Sequence, residues 1–257
     1  KLLDDMKMYG LIGYPLHHSF SSKFFNEKFQ KEGIDAEYVN FEIEHIFDLR
    51  KILVFNPRLR GLNVTIPYKE AVITFLDYIS PEAKEVGAVN VIKVERQSKD
   101  SNAYRLLGYN TDYIGFKNSI APLINPEYHK QALVLGTGGA SKAICYALDA
   151  LGIAWTYVSR TLQKDALTYD MLTTEVVAEN KIIINTTPLG TFPSVEDLPN
   201  IPYQAVTPQH LFYDLVYNPS ETTFLRKGSQ LGATIKNGSE MLEIQALAAW
   251  NIWNQEE

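Results

Sequence analysis

The ten residues Ala132 to Ser141, ALVLGTGGAS, constrain the fold of this 257-residue chain more than any other stretch. An apolar run, Ala132–Leu135, enters a turn with glycines at 136, 138 and 139. Ala140, Ile144, Ala147, Leu148 and Leu151 then recur at helical spacing until Gly152 ends the helix. The predicted order is strand, tight turn, helix. Glycines in such a turn let the backbone approach a pyrophosphate, and the helix N-terminus offers N–H groups and a positive dipole end to the anion. The pattern G-x-G-G-A-S has Ser141 where a dinucleotide fingerprint has its third glycine or alanine, so the turn alone also fits an ordinary βα connection. Gly136, Gly138, Gly139 and Ala140 are its candidate cofactor contacts.

The second strand chooses the cofactor. NAD-binding units place an acid there, about 20 positions past the glycines, for the ribose 2′-hydroxyl. Here Trp155–Val158 ends in Ser159, Arg160 and Thr161, with Lys164 close behind and no acid at the strand end. A guanidinium meets phosphate oxygens in a fork, and a carboxylate repels them. The expected cofactor is therefore NADP. Asp165 lies past the strand end and reads as a solvated loop charge.

A net charge of −6 excludes a general binder of nucleic acid or anionic membrane, which would need a clustered basic face, and leaves a small-molecule partner. No apolar run is long enough to span a bilayer, and Lys1–Lys7 is too polar for a signal peptide. Cys145 is the single cysteine, on the apolar helix after the glycine turn, so no intramolecular disulfide forms and a cytoplasmic location is expected. No metal site is expected, and the assembly is expected to be a monomer or homodimer.

Ahead of the turn, Met8–Gly13 reads as a strand, with Ser19 or Ser21 capping a helix that carries Phe24, Phe25 and Phe29 and ends at Gly33. A second βα unit follows in Glu37–Ile43 and Ile46–Leu53. Leu59–Ile66 is a third strand, with Pro67 at the first position of a helix over Tyr68–Tyr78. Another helix starts at Ser80-Pro81, and Ala88–Glu95 and Tyr104–Tyr109 pair as a hairpin through the polar turn Arg96–Asn102. Asp112–Leu123 is a helix leading to the second half. There Trp155–Val158, Lys181–Asn185, Leu211–Val216 and Ala233–Ile235 are short buried strands suited to a parallel sheet. Pro193–Pro208 reads as an ordered surface loop and Ser239–Trp253 as an amphipathic helix. The expected fold is α/β with two domains. Residues 1–111 form an α/β substrate domain with a mixed sheet, completed by the C-terminal helix 238–257. Residues 112–237 form a Rossmann-type NADP-binding domain with a parallel sheet.

Three polar clusters fall at predicted strand ends, where open α/β sheets bind ligands. They are His18-Ser19-Phe20-Ser21, Asn63-Val64-Thr65-Ile66-Pro67-Tyr68-Lys69, and Asn90 with Asn110-Thr111-Asp112. Mostly neutral hydrogen-bonding groups suit a polyhydroxylated ligand. Lys69 and Asp112 are the ionisable pair among them, and a lysine beside a carboxylate can exchange a proton with a substrate oxygen.

These motifs carry a family resemblance. Ser19-x-Ser21, GLNVTIPYKE (61–70), GAVN (87–90), GYNTD (108–112), the Gly136–Ser141 turn, NTTPLG (185–190) and YDLVYNP (213–219) occur in the order seen in shikimate dehydrogenases, over nearly the whole chain. The resemblance implies that Ser19, Ser21, Asn63, Thr65, Asn90, Asp112, Tyr217 and Gln245 hold the substrate's hydroxyls and carboxylate. It also implies that Lys69 is the general acid, with Asp112 as its partner, when NADPH reduces the C3 ketone of 3-dehydroshikimate. Arg160 and Lys164 match the family's 2′-phosphate residues, Gly238 and Met241 lie near the nicotinamide, and Ser159, Thr161 and Thr186 complete the cofactor set. The chain departs from the family pattern in Tyr113, where glycine is usual, and in Ser239-Glu240, where an apolar residue and a glycine are usual. The alternatives are a quinate/shikimate or amino-shikimate variant, a folate-linked dehydrogenase of similar plan, and a ligand sensor that has lost catalysis.

Overall fold

The computed structural model describes residues 6–16, 19–96 and 103–255. His18, most of the Arg96–Asn102 turn, and residues 1–5 and 256–257 lie outside the described residues. The chain divides into two compact units, residues 1–111 with 246–257, and residues 112–245.

The first unit runs β1 (Lys7–Gly13), α1 (Phe20–Glu32), β2 (Ala36–Glu42), α2 (Leu49–Phe55), β3 (Leu59–Val64), β4 (Tyr78–Ile79), α3 (Pro81–Val86), β5 (Val91–Arg96) and β6 (Tyr104–Tyr109). Its sheet has the order β2-β1-β3-β5-β6-β4. β1 is parallel to β2 and β3, whereas β5 is antiparallel to β3 and β6, so the sheet is mixed. Both faces are covered. Ile12, Leu62 and Ile92 pack with Leu49, Leu53 and Val72 on one side, and Tyr9, Leu11 and Val91 pack with Phe25, Phe29 and Trp253 on the other. Each such fully buried large side chain contributes about 1.5–3 kcal/mol by leaving water.

Ser19 rather than Ser21 caps α1, its hydroxyl accepting from the Ser22 N–H at 3.0 Å, and Gly33 ends the helix in the left-handed region. The helix expected over Tyr68–Tyr78 is absent. Turns lead instead into a short 3-10 segment, Ala71–Phe75, and Tyr78–Ile79 forms the edge strand β4. Val72, Ile73 and Thr74 are consecutive β-branched residues and disfavour the α-helix there.

The second unit runs α4 (Asp112–Ile120), β7 (Gln131–Leu135), α5 (Gly139–Ala150), β8 (Ala154–Ser159), β9 (Ala166–Thr168), α6 (Thr174–Glu179), β10 (Ile182–Asn185), β11 (Leu211–Asp214), α7 (Thr223–Gln230), β12 (Thr234–Lys236) and the start of α8 (Ser239–Asn254), whose residues from 246 onward belong to the first unit. Its sheet, β12-β11-β10-β7-β8-β9, is parallel throughout. Leu133, Leu135, Ile183 and Phe212 fill one face, and Ala132, Val134, Ile182, Ile184 and Tyr213 the other. This two-sided burial explains the continuous apolar runs in the sequence.

The unit division falls inside α8, between residues 245 and 246, and not at 237/238 as expected. Packing explains the shift. Met241 belongs to the second unit's core with Phe116 and Tyr213, and α8 approaches α4 so closely that a Cβ at Gly115 would lie 2.5 Å from the Met241 carbonyl oxygen. The Pro193–Pro208 segment is also less superficial than expected, because Ile201 and Val206 are buried in the core.

Candidate active site

In the first unit, the candidate substrate residues gather where β1 and β3 end. The sheet delivers Asn63 to the penultimate position of β3, and Thr65 follows it with its N–H bonded to the Ile12 carbonyl at 3.0 Å. The Asn63 amide is oriented from two sides. Its Oδ1 accepts from the Tyr38 hydroxyl at 2.8 Å, and its Nδ2 donates to the Asn90 carbonyl at 3.4 Å. Asn90 is oriented in turn, since Oδ1 accepts from the Thr111 N–H at 2.7 Å and Nδ2 donates to the Thr111 hydroxyl at 2.9 Å. Asn110 faces the interior instead, donating to the Ala88 carbonyl at 3.0 Å. Lys69 is held through its backbone, whose carbonyl accepts from the Val89 N–H at 2.8 Å. The unit thus brings Asn63, Thr65, Lys69 and Asn90 onto adjoining, mutually bonded segments.

Tyr38 is the contributor missed in the sequence. It is buried on β2, stacked on Phe25 with ring centroids 5.0 Å apart, and Ser21 also bonds its hydroxyl. Burial raises its pKa well above the usual phenol range, so it remains a donor. An inward-facing tyrosine on an alternating strand needs a partner for its hydroxyl, and that was the available signal.

In the second unit, Asp112 opens α4, directly after the Thr111 that Asn90 holds. The glycine turn links β7 to α5 as expected. Gly136 has φ +105°, and a Cβ there would lie 2.7 Å from the Thr186 hydroxyl, so only glycine fits. At Gly138 and Gly139 an added Cβ would meet nothing within 4 Å, and no side chain caps α5. The backbone therefore stays approachable where a pyrophosphate would sit against Ala140 and the helix N-terminus, so the turn fits a dinucleotide.

Past β8, Arg160, Thr161 and Lys164 are exposed, which suits groups that meet a 2′-phosphate. The Ser159 hydroxyl is occupied by the loop, accepting from the Thr161 N–H at 3.2 Å and from Gln163 at 3.0 Å. The same Gln163 amide reaches the Thr137 hydroxyl at 3.5 Å. Gln163 thereby ties the basic loop to the glycine turn, a role that composition could not reveal. Thr186 donates its hydroxyl to the Leu135 carbonyl at 2.7 Å, fixing the end of β7.

Behind this face lies a buried polar network. Asp214 accepts from Asn185 at 3.0 Å, from the Thr222 hydroxyl at 2.6 Å and from the Val216 N–H at 3.0 Å. Burial outweighs these bonds and pushes its pKa up to about 6. The NTTPLG and YDLVYNP motifs are in this way partly architectural, holding the loops after β10 and β11. Tyr217 follows on the latter loop, partly exposed.

Gly238 leads into α8, where a Cβ would lie 2.1 Å from the Leu215 carbonyl oxygen, and Asn237 caps the helix through the Ser239 N–H at 3.1 Å. Gln245 bonds the Leu242 carbonyl at 2.9 Å. The two departures from the family pattern are accommodated locally: Glu240 forms an ion pair with Lys236, and Tyr113 packs edge-on against Tyr146 at 4.9 Å. Cys145 is buried, and desolvation pushes its thiol up to about 12. Among the described residues no helix is long and apolar enough to cross a membrane, and no cluster of His, Cys, Asp or Glu could hold a metal ion.

A parallel sheet with an approachable glycine turn and a basic loop, joined in one chain to a mixed-sheet unit with ordered strand-end amides, defines the class as NADP-linked oxidoreductases. Similarity to known proteins narrows this. Residues 11–92 match the family model of the shikimate dehydrogenase substrate binding domain. The shikimate dehydrogenase (NADP(+)) of Clostridium beijerinckii is 40% identical, over 97% of this chain and 93% of its own length. The crystal structure of shikimate dehydrogenase from Aquifex aeolicus superposes with a TM-score of 0.83 at 36% identity, covering 97% of this chain and 92% of that one. The Thermus thermophilus enzyme in complex with NADP(H) and shikimate gives a TM-score of 0.81 at 30% identity, covering 97% and 94%. The chain belongs to the shikimate dehydrogenase family.

Proposed function

We propose that Lys69 is the general acid and base of this NADP-dependent shikimate dehydrogenase, with the Asp112 carboxylate as its partner. Reducing the C3 ketone of 3-dehydroshikimate requires a hydride at carbon and a proton at oxygen. NADPH, when bound, supplies the hydride. The Lys69 ammonium gives its proton to the oxygen as negative charge develops there, and takes it back when shikimate is oxidised. Asp112 orients the lysine. Ser19, Ser21, Asn63, Thr65, Asn90, Tyr217 and Gln245 bind the hydroxyls and carboxylate and orient the ring. Gly136, Gly138, Gly139 and Ala140 cradle the pyrophosphate. Arg160, Thr161 and Lys164 take the 2′-phosphate, on a loop that Ser159 shapes, while Thr186, Gly238 and Met241 border the nicotinamide. The protein works as a monomer or homodimer, and a reducing cytoplasm suits its one inert cysteine.

The observation that carries this reading is the interlocked set in the first unit. Asn63 and Asn90 are held by neighbours in defined amide orientations, and the Lys69 backbone is bonded to the segment that presents Asn90. Steady-state oxidation of shikimate with NADP+ tests it. In Lys69→Ala, kcat falls about 10²–10⁴-fold, the usual worth of a positioned proton donor, while shikimate affinity changes only a few-fold. Turnover at the wild-type level in that variant would overturn the assignment.

A further inference from the structure

The N-terminal sheet carries a second polar feature at the end opposite Asn63 and Thr65. An open cleft of about 660 Å³ lies there, within the roughly 300–1,000 Å³ range of small-molecule sites. Arg60 in its wall precedes Asn63 by three positions on β3, so at about 3.3 Å per residue the cleft begins about 10 Å from the candidate substrate residues.

Its walls concentrate positive charge in a chain of net charge −6. Among the described residues, Lys7, Arg60, Lys93, Arg96 and Arg105 line it against a single carboxylate, Glu95. Glu95 is shared between Lys93 at 3.7 Å and Arg105 at 3.6 Å. Among the described residues, Lys7, Arg60 and Arg96 have no carboxylate partner. The two arginines are anchored by carbonyls instead. Arg60 donates to Pro57 at 2.8 Å, and Arg96 donates to Leu53 at 2.7 Å while lying over the Tyr104 ring at 5.5 Å. The Arg96 Nε is buried with no hydrogen-bond partner. Both guanidinium groups are partly desolvated and repel one another. Cations held in place, short of counter-charge and converging on a concave surface are preorganised for an anion.

We propose that this cleft is a second ligand site, for a small polyanion bearing carboxylate or phosphate oxygens. Its limited volume and the five-to-one cation excess among its described residues favour a compact solute over an extended nucleic-acid strand, which the net negative charge of the chain opposes.

Calorimetric titration with citrate and with inorganic pyrophosphate tests the proposal and distinguishes carboxylate from phosphate chemistry. The Arg160→Ala chain lacks a 2′-phosphate contact of the dinucleotide site, and in the presence of saturating NADP+ and shikimate it should bind at least one of the two anions with wild-type affinity. Lys7→Glu/Arg105→Glu changes two exposed residues, and it should weaken that binding at least tenfold with unchanged melting temperature and unchanged shikimate turnover. The control Lys31→Glu/Lys84→Glu, an equal charge change elsewhere on the surface, should leave affinity within twofold. Failure of both anions to bind at millimolar concentration would overturn the site, as would loss of binding in Arg160→Ala or equal weakening in the two charge-reversed chains.

Discussion

The two units solve recognition in different materials. In the mixed-sheet unit the polar groups are side-chain amides and hydroxyls, each oriented by a neighbour: Tyr38 and the Asn90 carbonyl hold Asn63, and Thr111 holds Asn90. In the parallel-sheet unit the candidate contacts are backbone at Gly138 and Gly139 and exposed cations at Arg160 and Lys164. The contrast follows from the ligands. A polyhydroxylated ring is told apart by the direction of each hydrogen bond, so its donors and acceptors need fixed orientations. A phosphate accepts from any direction, and mobile cations with a helix N-terminus suffice.

Substitution in the first unit should therefore cost more than substitution in the second. Asn63→Ala removes a proposed substrate contact and leaves the buried Tyr38 hydroxyl without the Asn63 acceptor. Its kcat/KM for shikimate should fall at least about 100-fold, roughly 3 kcal/mol, with the KM for NADP+ within threefold. A loss below tenfold would break the contrast.

The second unit's largest liability lies behind its binding face. Burial raises the Asp214 carboxyl from 3.8 to about 6 in the folded protein. Between those values the folded chain keeps a proton that the unfolded chain has released. The stabilising contribution is therefore complete below about pH 4 and lost as pH rises through 6, at most about 3 kcal/mol. Asp214→Asn stays neutral throughout. Melting temperatures from pH 4 to 7.5 should show the variant gaining on the wild type as pH rises, with Thr222 turning its hydroxyl to accept from the new amide. A pH-independent difference would show that the carboxyl titrates normally.

Arg160→Gln comes next in size. The KM for NADP+ should rise about tenfold, near 1.4 kcal/mol, while the KM for NAD+ stays within twofold, because only one cofactor carries the 2′-phosphate. Equal effects on both cofactors would place Arg160 away from that phosphate.

The same contrast decided what could be read from the sequence. Backbone recognition leaves a local signature, and the Gly136–Gly139 turn, the missing acid after β8 and the apolar runs of the parallel sheet were all legible. Asn63, Thr65 and Asn90 were visible as polar residues at strand ends. What orients them was not, because Tyr38 and Asn63 are 25 positions apart and meet only through strand pairing. The two- and three-residue strands β4 and β9 were too short to show a period. The helix expected over Tyr68–Tyr78 rests on Pro67 as a first-turn proline, and the β-branched run Val72–Thr74 overrides that local signal. The division of α8 depends on Met241 joining the second unit's core, which requires knowing where the helix packs.

Tyr38→Phe isolates orientation from contact and should have the smallest effect. The phenyl ring keeps the stack on Phe25, and the hydroxyl that holds Asn63 Oδ1 and bonds Ser21 is lost. One buried hydrogen bond contributes about 1 kcal/mol, so the KM for shikimate should rise about fivefold, with kcat lowered less. The hydroxyl stays protonated across the assay range, so the pH profile should keep its shape. If the melting temperature falls while the KM for shikimate is unchanged, the Asn63 amide keeps its direction through the Asn90 carbonyl alone. The orienting role would then belong to the β3–β5 connection and not to β2.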